Sequence, residues 1–231
     1  MTTTFITGAN KSLGYETARR LIKAGHTVIV GARDPQRGRA AADALGARFV
    51  RIDVTDDVSV DEAAADLGAN EGSIDVLINN AGVFGPHIPA DEITAADASD
   101  VFGINVVGIV RVMHAFLPLL RKSQHPVVVN VSSGMGSFTL THDTTRAEGI
   151  NLAPLYTASK AAVTMLTTQY AKSWPEIKVN AADPGYTATD FNGHRGHQTV
   201  TEGTDAIVAL ATIGPDGPTG TFVDRDGAMP W

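Results

Sequence analysis

Unbroken apolar runs alternate along this chain with stretches in which apolar residues recur at helical spacing. Val28-Ile29-Val30 and Val127-Val128-Val129 are runs of the first kind, which mark strands buried on both faces of a sheet. The segment that follows Gly8 is of the second kind: Leu13, Ala18, Leu21 and Ile22 share one helical side, and Gly25 stops the helix. Taken in order, the pattern predicts strands beginning at Phe5-Ile6 and over 27–31, 49–52, 74–78, 126–131, 177–181 and 220–223. Helices are predicted over 35–45, 58–67, 95–117, through the apolar segment 155–166, and over 200–213. About seven strands alternating with helices specify an α/β fold, a doubly wound and mostly parallel sheet with helices on both faces. No linker, repeat or low-complexity tract divides the 231 residues, so 1–231 is expected to be a single domain.

Composition narrows the partners. Hydrophobic residues make up 43% of the chain and charged residues 19%, which suits a soluble domain with a full core. The net charge of −7 is spread without a basic stripe, which argues against nucleic acid and anionic membrane surfaces. The absence of cysteine excludes disulfides, a thiolate nucleophile and cysteine-based metal sites. The apolar run 101–120 is long enough for a membrane span but carries Asn105, Arg111, His114 and Pro118. Charged residues at a bilayer centre cost about 3 kcal/mol each, so a helix in a core or subunit interface is expected instead. The start Met1-Thr2-Thr3-Thr4-Phe5 has neither the basic nor the long apolar region of a secretory signal, and a cytoplasmic protein is expected.

Chemistry enters at Tyr156-Thr157-Ala158-Ser159-Lys160. Residues four apart on a helix share a face, with Cβ atoms about 5–6 Å apart. An ammonium about 4 Å from a phenolate stabilises it by roughly 4 kcal/mol at an effective dielectric of 20. That would lower a phenol by as much as about two to three pKa units, giving a proton donor and acceptor usable near neutrality. Alone, the pair reads equally well as a chance spacing on an amphipathic helix. Ser133 ends the strand 126–131 and Tyr156 lies early in a later helix, so both fall at the carboxyl edge of the sheet, where open α/β folds bind ligands.

A second signal lies where the first strand turns into the first helix, in Thr7-Gly8-Ala9-Asn10-Lys11-Ser12-Leu13-Gly14. Glycines there let backbone approach a pyrophosphate, and the helix N-terminus offers N–H donors and a positive dipole. A Gly-x-x-x-Gly-x-Gly pattern would place glycine at position 12, where this chain has Ser12. The tip of the second strand, Gly31-Ala32-Arg33, lacks the carboxylate that binds a free ribose 2′-hydroxyl. Arg33 and Lys11 favour a phosphorylated ribose instead, so NADP(H) is expected over NAD(H).

With these residues in hand, the chain resembles the short-chain dehydrogenase/reductase family over nearly its whole length, and most of all its carbonyl-reductase-like members. The resemblance rests on Thr7-Gly8 through Gly14, Asp53-Val54, Asn79-Asn80-Ala81-Gly82, Asn105, Ser133 in Asn130-Val131-Ser132-Ser133, Tyr156 with Lys160, and Pro184-Gly185 with Thr187 and Thr189. It implies a Rossmann fold that transfers a hydride between NADP(H) and a small carbonyl or alcohol substrate. Tyr156 would be the general acid or base, and Ser133 would bond the substrate oxygen. Lys160 would lower the phenol's pKa and hold the nicotinamide ribose, while Asn105 would support a water relaying protons to Lys160. Gly8, Asn10, Lys11, Ser12, Leu13 and Gly14 would cradle phosphate, with Arg33 at the 2′-phosphate. Asp53 and Val54 would meet the adenine; Asn80, Ala81 and Gly82 the adenosine ribose and its surroundings. Pro184, Gly185, Thr187 and Thr189 would hold the nicotinamide amide and diphosphate.

The connection from Ser133 to Tyr156 is longer than the family's minimum and polar, and is expected over the substrate entrance. The segment 191–199 is short for a substrate lid, which suggests an open site. His194 and His197 are three apart in that loop, and no metal is expected. Apolar residues surround most of the helix carrying Val106, Val107, Ile109, Val110 and Phe116, so a homodimer or homotetramer is expected. Two other classes stay open: a catalytically idle NADPH-binding regulator, and a lyase or dehalogenase on the same scaffold, against which Lys160 and the Gly8 loop count.

Overall fold

The structure, a computed structural model, describes residues 2–231; Met1, the first residue of the expected domain, lies outside the described residues. Among the described residues eight strands form one sheet: β1 (Thr3–Thr7), β2 (Thr27–Ala32), β3 (Arg48–Arg51), β4 (Val76–Asn79), β5 (Val127–Val131), β6 (Lys178–Ala182), β7 (Phe222–Asp224) and β8 (Gly227–Ala228). Their order is β3-β2-β1-β4-β5-β6-β7-β8, parallel throughout except for the antiparallel β7–β8 pair. Successive strand residues point to opposite faces, which makes two cores. On one face Phe5, Ile29, Leu77 and Val128 meet α3 (Asp57–Asn70), α5 (Gly108–Leu120) and α8 (Pro154–Ser173) through Val60, Phe116 and Val163. On the other, Ile6, Val30, Ile78 and Val129 meet α1 (Ser12–Lys23), α2 (Pro35–Leu45) and α10 (Asp205–Ala211) through Leu21, Ala42 and Ile207.

Four departures from the sequence pattern have physical reasons. The predicted helix 95–117 is α4 (Ala95–Phe102) and α5 joined by a π-helical turn, Gly103–Val107, which sets Asn105 inward. Such turns disturb the 3.6-residue period without removing the apolar residues, so the pattern passes over them. The predicted helix 200–213 breaks at Thr204 into α9 (Val200–Gly203) and α10. Strand β8 has only two residues and no apolar signature, hence eight strands rather than seven. The long polar connection holds two single turns, α6 (Phe138–Thr141) and α7 (Ala147–Ile150).

The helical run Ala95–Leu120 is long and apolar enough to cross a membrane by length and composition. Here Val112, Met113, Phe116 and Leu120 are buried in the sheet's core, while Val107 and Val110 stay exposed. Strand order reverses between β1 and β4, and the crevice at the carboxyl ends of those strands is where open α/β sheets take ligands.

Candidate active site

The crevice is built first from backbone. Thr7 at the tip of β1 accepts through Oγ1 from the N–H groups of Asn80 and Ala81, both at 3.0 Å. Asn80 answers by donating from Nδ2 to the carbonyls of Thr7 and Gly8 at 2.9 and 3.1 Å. Its amide therefore braces the Gly8 turn. A Cβ at Gly14 would come within 2.6 Å of Asn80 Nδ2 and of the Gly8 carbonyl, so only glycine fits that approach. Gly8 (φ +66°) and Ser12 (φ +49°) both adopt left-handed backbone, a conformation that strains the serine. Asn10 and Leu13 complete the turn. The result is a cradle that side chains would fill, at the N-terminus of α1, and it fits a pyrophosphate.

The candidate cations at the cleft have partners in this structure. Lys11 Nζ reaches Asp190 Oδ2 at 3.0 Å across the cleft, and Arg33 Nε stands 4.0 Å from Asp53 Oδ2. Arg33, Arg37 and Arg39 line one open hollow beside α2, a grouping that sequence reading credited to Arg33 alone. Asp34 lines the same hollow, with Oδ2 3.7 Å from Arg37 Nε, and caps α2 by accepting from Gln36 and Arg37 N–H. Burial works to raise Asp53, but hydrogen bonds from Thr55 hold its carboxyl below the ordinary range. Val54 is buried against Gly108 of α5.

On the other side of the switch point, Ser133 follows β5 and caps the turn Gly134–Gly136, accepting from Met135 N–H at 3.2 Å. Pro154 starts α8 at a position where its missing N–H costs nothing, and the helix places Tyr156, Ser159 and Lys160 on its buried side. The Ser133 hydroxyl lies close enough to the Tyr156 phenol to act on its acidity. Lys160 Nζ lies 5.6 Å from the centre of the Tyr156 ring and donates to the Val131 carbonyl at 2.7 Å. Ser133, Tyr156 and Lys160 thus converge at the carboxyl end of β5.

The electrostatics overturn one expectation. Burial raises the phenol of Tyr156 well above its ordinary value, against the Ser133 hydroxyl, which lowers it. Burial also lowers the Lys160 ammonium to about 8. Spacing on a helix foretold nearness, but burial of the phenol, and not the ammonium one turn on, sets the direction of its shift.

Asn105 ties the π-helical turn to this centre. Its Nδ2 donates to the Val83 carbonyl (2.9 Å) and to Ser159 Oγ (3.0 Å), and its Oδ1 accepts from Val83 N–H (2.8 Å). Gly82 lies between: a Cβ there would stand 3.3 Å from Asn105 Oδ1 and 3.8 Å from Lys160 Nζ. Beyond β6, Gly185 takes φ +65°, and Thr187 Oγ1 donates to the Pro184 carbonyl at 2.7 Å. Thr187 and Thr189 are buried. Among the described residues, the buried Oε1 of Gln198 has no hydrogen-bond partner, and it would stand 2.2 Å from a Cβ placed on Gly185. A close glycine backbone beside an unpartnered acceptor fits an amide-bearing ligand.

Sequence reading missed the groups that cover the phenol. Phe84 stacks on Tyr156 at 4.9 Å and on His87 at 4.7 Å, and Phe191 approaches the Tyr156 ring at 5.6 Å. The adjoining cavity, about 260 Å³, is lined by Phe84, Ile88, Leu152 and Tyr156 among others, with no Asp, Glu, Lys or Arg. Leu152 and Pro154 bring the long connection to its rim. Asp183, also missed, is buried at the tip of β6. Among the described residues no group of three His, Asp or Glu side chains could hold a metal.

A family model described as short chain dehydrogenase matches residues 2–199. The short-chain dehydrogenase anuI of Penicillium roqueforti is 33% identical, the match covering 97% of this chain and 94% of that protein. Salutaridine reductase of Papaver bracteatum is 29% identical over 95% of this chain and 93% of its own length. The solved structure of NADPH-bound carbonyl reductase from chicken fatty liver superposes with a TM-score of 0.88 at 28% identity, covering 99% of this chain and 98% of that one.

Proposed function

Because the chain belongs to the short-chain dehydrogenase family, and is therefore an oxidoreductase of carbonyl and alcohol groups, we propose that it reduces small uncharged carbonyl compounds with NADPH through Tyr156. The observation that carries this reading is the meeting of the Ser133 hydroxyl and the Tyr156 phenol beside Lys160 at the rim of a cavity without Asp, Glu, Lys or Arg. The Gly8–Gly14 turn takes the pyrophosphate, and Arg33, with Lys11, Arg37 and Arg39 nearby, takes the 2′-phosphate. Asp53 and Val54 border the adenine, and Asn80, Ala81 and Gly82 the adenosine ribose. Pro184, Gly185, Thr187 and Thr189 border the nicotinamide amide and diphosphate. Bound NADPH supplies the hydride.

The chain's own residues polarise and protonate. Ser133 Oγ and Tyr156 Oη both donate to the substrate oxygen, so negative charge developing there meets two fixed donors. Tyr156 Oη then gives up its proton to that oxygen, completing the alcohol. Burial keeps the phenol protonated across the working pH range until that moment. Lys160, whose ammonium titrates at about 8, restores the proton to the phenolate, and Asn105 holds the Gly82–Val83 backbone that borders it. The cavity's freedom from Asp, Glu, Lys and Arg selects uncharged substrates.

The test is a panel of aldehydes, quinones, ketones and alcohols followed by NADPH absorbance, on the native chain and Tyr156→Phe. We expect turnover of apolar ketones, lowered by about 10²–10⁴-fold in Tyr156→Phe with NADPH still bound. NADPH binding without turnover anywhere on the panel would leave the idle regulator instead.

A further inference from the structure

We propose that His87 is a specificity-determining residue, whose imidazole edge hydrogen-bonds a second polar group on the substrate, apart from the carbonyl that Tyr156 protonates. The preferred substrates are then uncharged carbonyl compounds that also bear a hydroxyl or a further carbonyl. The inference deepens the reading of the site given above and rests on it.

Phe84-Gly85-Pro86-His87 is a short turn whose two middle residues set its shape. Gly85 takes φ +90°, a conformation open to glycine and strained for other residues, and the ring of Pro86 restricts the φ that follows. A Cβ on Gly85 would meet Val101 Cγ2 at 2.6 Å, so the turn lies hard against the buried Val101 of α4. Just upstream, both backbone groups of Val83 are held by Asn105, at 2.8 and 2.9 Å. A turn anchored at both places brings residues three apart face to face. The His87 ring stacks on Phe84 at 4.7 Å, with 21° between the planes. Phe84 stacks on Tyr156 at 4.9 Å, with 25° between the planes. Phe84 is thus the ring that the phenol and the imidazole share, and it holds the second at a set distance from the first.

Stacking uses the faces of the imidazole and leaves its edge free. Among the described residues neither ring nitrogen has a hydrogen-bond partner. In a neutral imidazole one nitrogen donates and the other accepts, so the edge suits a hydroxyl or a carbonyl. The cavity makes that edge selective. Of the side chains lining it only those of His87 and Tyr156 carry a hydrogen-bonding group; the rest, Phe84, Ile88, Ile93 and Leu152 among them, are hydrocarbon. His87 is exposed to solvent, so a substrate entering the cavity takes water from its edge. The hydrogen bond given up is regained only by a substrate that brings its own polar group to that place. A purely hydrocarbon body leaves the imidazole unpaired. Tyr156 and His87 therefore read two groups, at a separation set by two ring-stacking steps.

The test compares kcat/KM, at saturating NADPH, for straight-chain 2-alkanones of increasing length with and without a terminal hydroxyl. The readout is the ratio of the two at each length within one protein, so a general loss of activity in a variant cancels. For the native chain we expect the ratio to pass through a maximum, about 2–10-fold above its value at shorter and longer lengths. His87→Phe, which keeps a stacking ring and removes both nitrogens, should level the series. His87→Gln, which restores a donor and an acceptor without the ring, should return a smaller maximum. A native ratio without a maximum, or the same maximum in His87→Phe, would overturn the role of His87 and leave that of Tyr156 standing. If the native chain turns over none of the alkanones, the reading of the site fails and the inference fails with it.

Discussion

The two walls of the cleft are held in different ways. The wall made by the tips of β1 and β4 is stitched by hydrogen bonds among Thr7, Gly8, Asn80 and Ala81, at distances from 2.9 to 3.1 Å. Over Tyr156, which lies beyond β5, the cleft is closed mainly by aromatic rings, Phe84 from the segment after β4 and Phe191 from the segment after β6, and by the exposed ion pair that Asp190 makes with Lys11. Directional bonds at close approach accept one residue type per position. Ring packing accepts many residues of similar size. A wall that receives an invariant ligand gains from the first arrangement, and one that receives variable substrates from the second.

The contrast is broken most severely at Gly14. Gly14→Ala puts a methyl within 2.6 Å of the Gly8 carbonyl and within 2.9 Å of Ala9 Cα, both backbone atoms that cannot step aside. We expect a loss of about 1–3 kcal/mol in chemical denaturation, and NADPH binding weakened with it. Arg33→Ser should leave stability unchanged, since that side chain is mostly exposed, and cut the ratio of kcat/KM for NADPH over NADH about tenfold. An unchanged ratio would move the 2′-phosphate away from Arg33.

On the ring-built wall, Phe191→Ala should be gentler. Phe191 is 41% exposed, so stability should change by no more than about 0.5 kcal/mol. An aromatic contact contributes about 0.5–1.5 kcal/mol, which corresponds to a rise in KM for apolar ketones of about 2–12-fold. Opening the cover also lessens the burial that raises the Tyr156 phenol, so its pKa should fall toward the ordinary value. Ultraviolet titration of the variant would read that shift. Equal losses of stability in Phe191→Ala and Gly14→Ala would erase the distinction between the walls.

The same contrast explains what could be read from sequence. Val28-Ile29-Val30 and Val127-Val128-Val129 announce buried parallel strands because both faces must be apolar, and the order of elements then fixes a doubly wound sheet. Ser133, Tyr156, Lys160 and the Gly8 turn were legible as strand-end residues, since topology alone brings them to one edge. Phe84 and Phe191 were not. They meet Tyr156 from two irregular segments, and no periodicity records which loop residues touch. Asn105 was visible as a residue but not as part of a π-helical turn. The sign of the phenol's shift was missed for a related reason. Spacing gives distance between charges, whereas burial is a property of the whole fold.

The smallest expected effect lies at Ser12, on the hydrogen-bonded wall. Its φ of +49° places an L-residue in the left-handed region, which costs about 1–2 kcal/mol relative to right-handed backbone. Glycine removes that strain but releases more backbone entropy in the unfolded chain, at about 0.4–1 kcal/mol. The balance favours Ser12→Gly by roughly 0.5–1 kcal/mol, which for a domain of this size raises the thermal midpoint by about 1–4 °C. Calorimetry on the two proteins measures it. A lower midpoint in Ser12→Gly would mean that the serine hydroxyl contributes more at the head of α1 than its backbone conformation costs, and that the wall built of directional bonds includes Ser12 as well as Asn80.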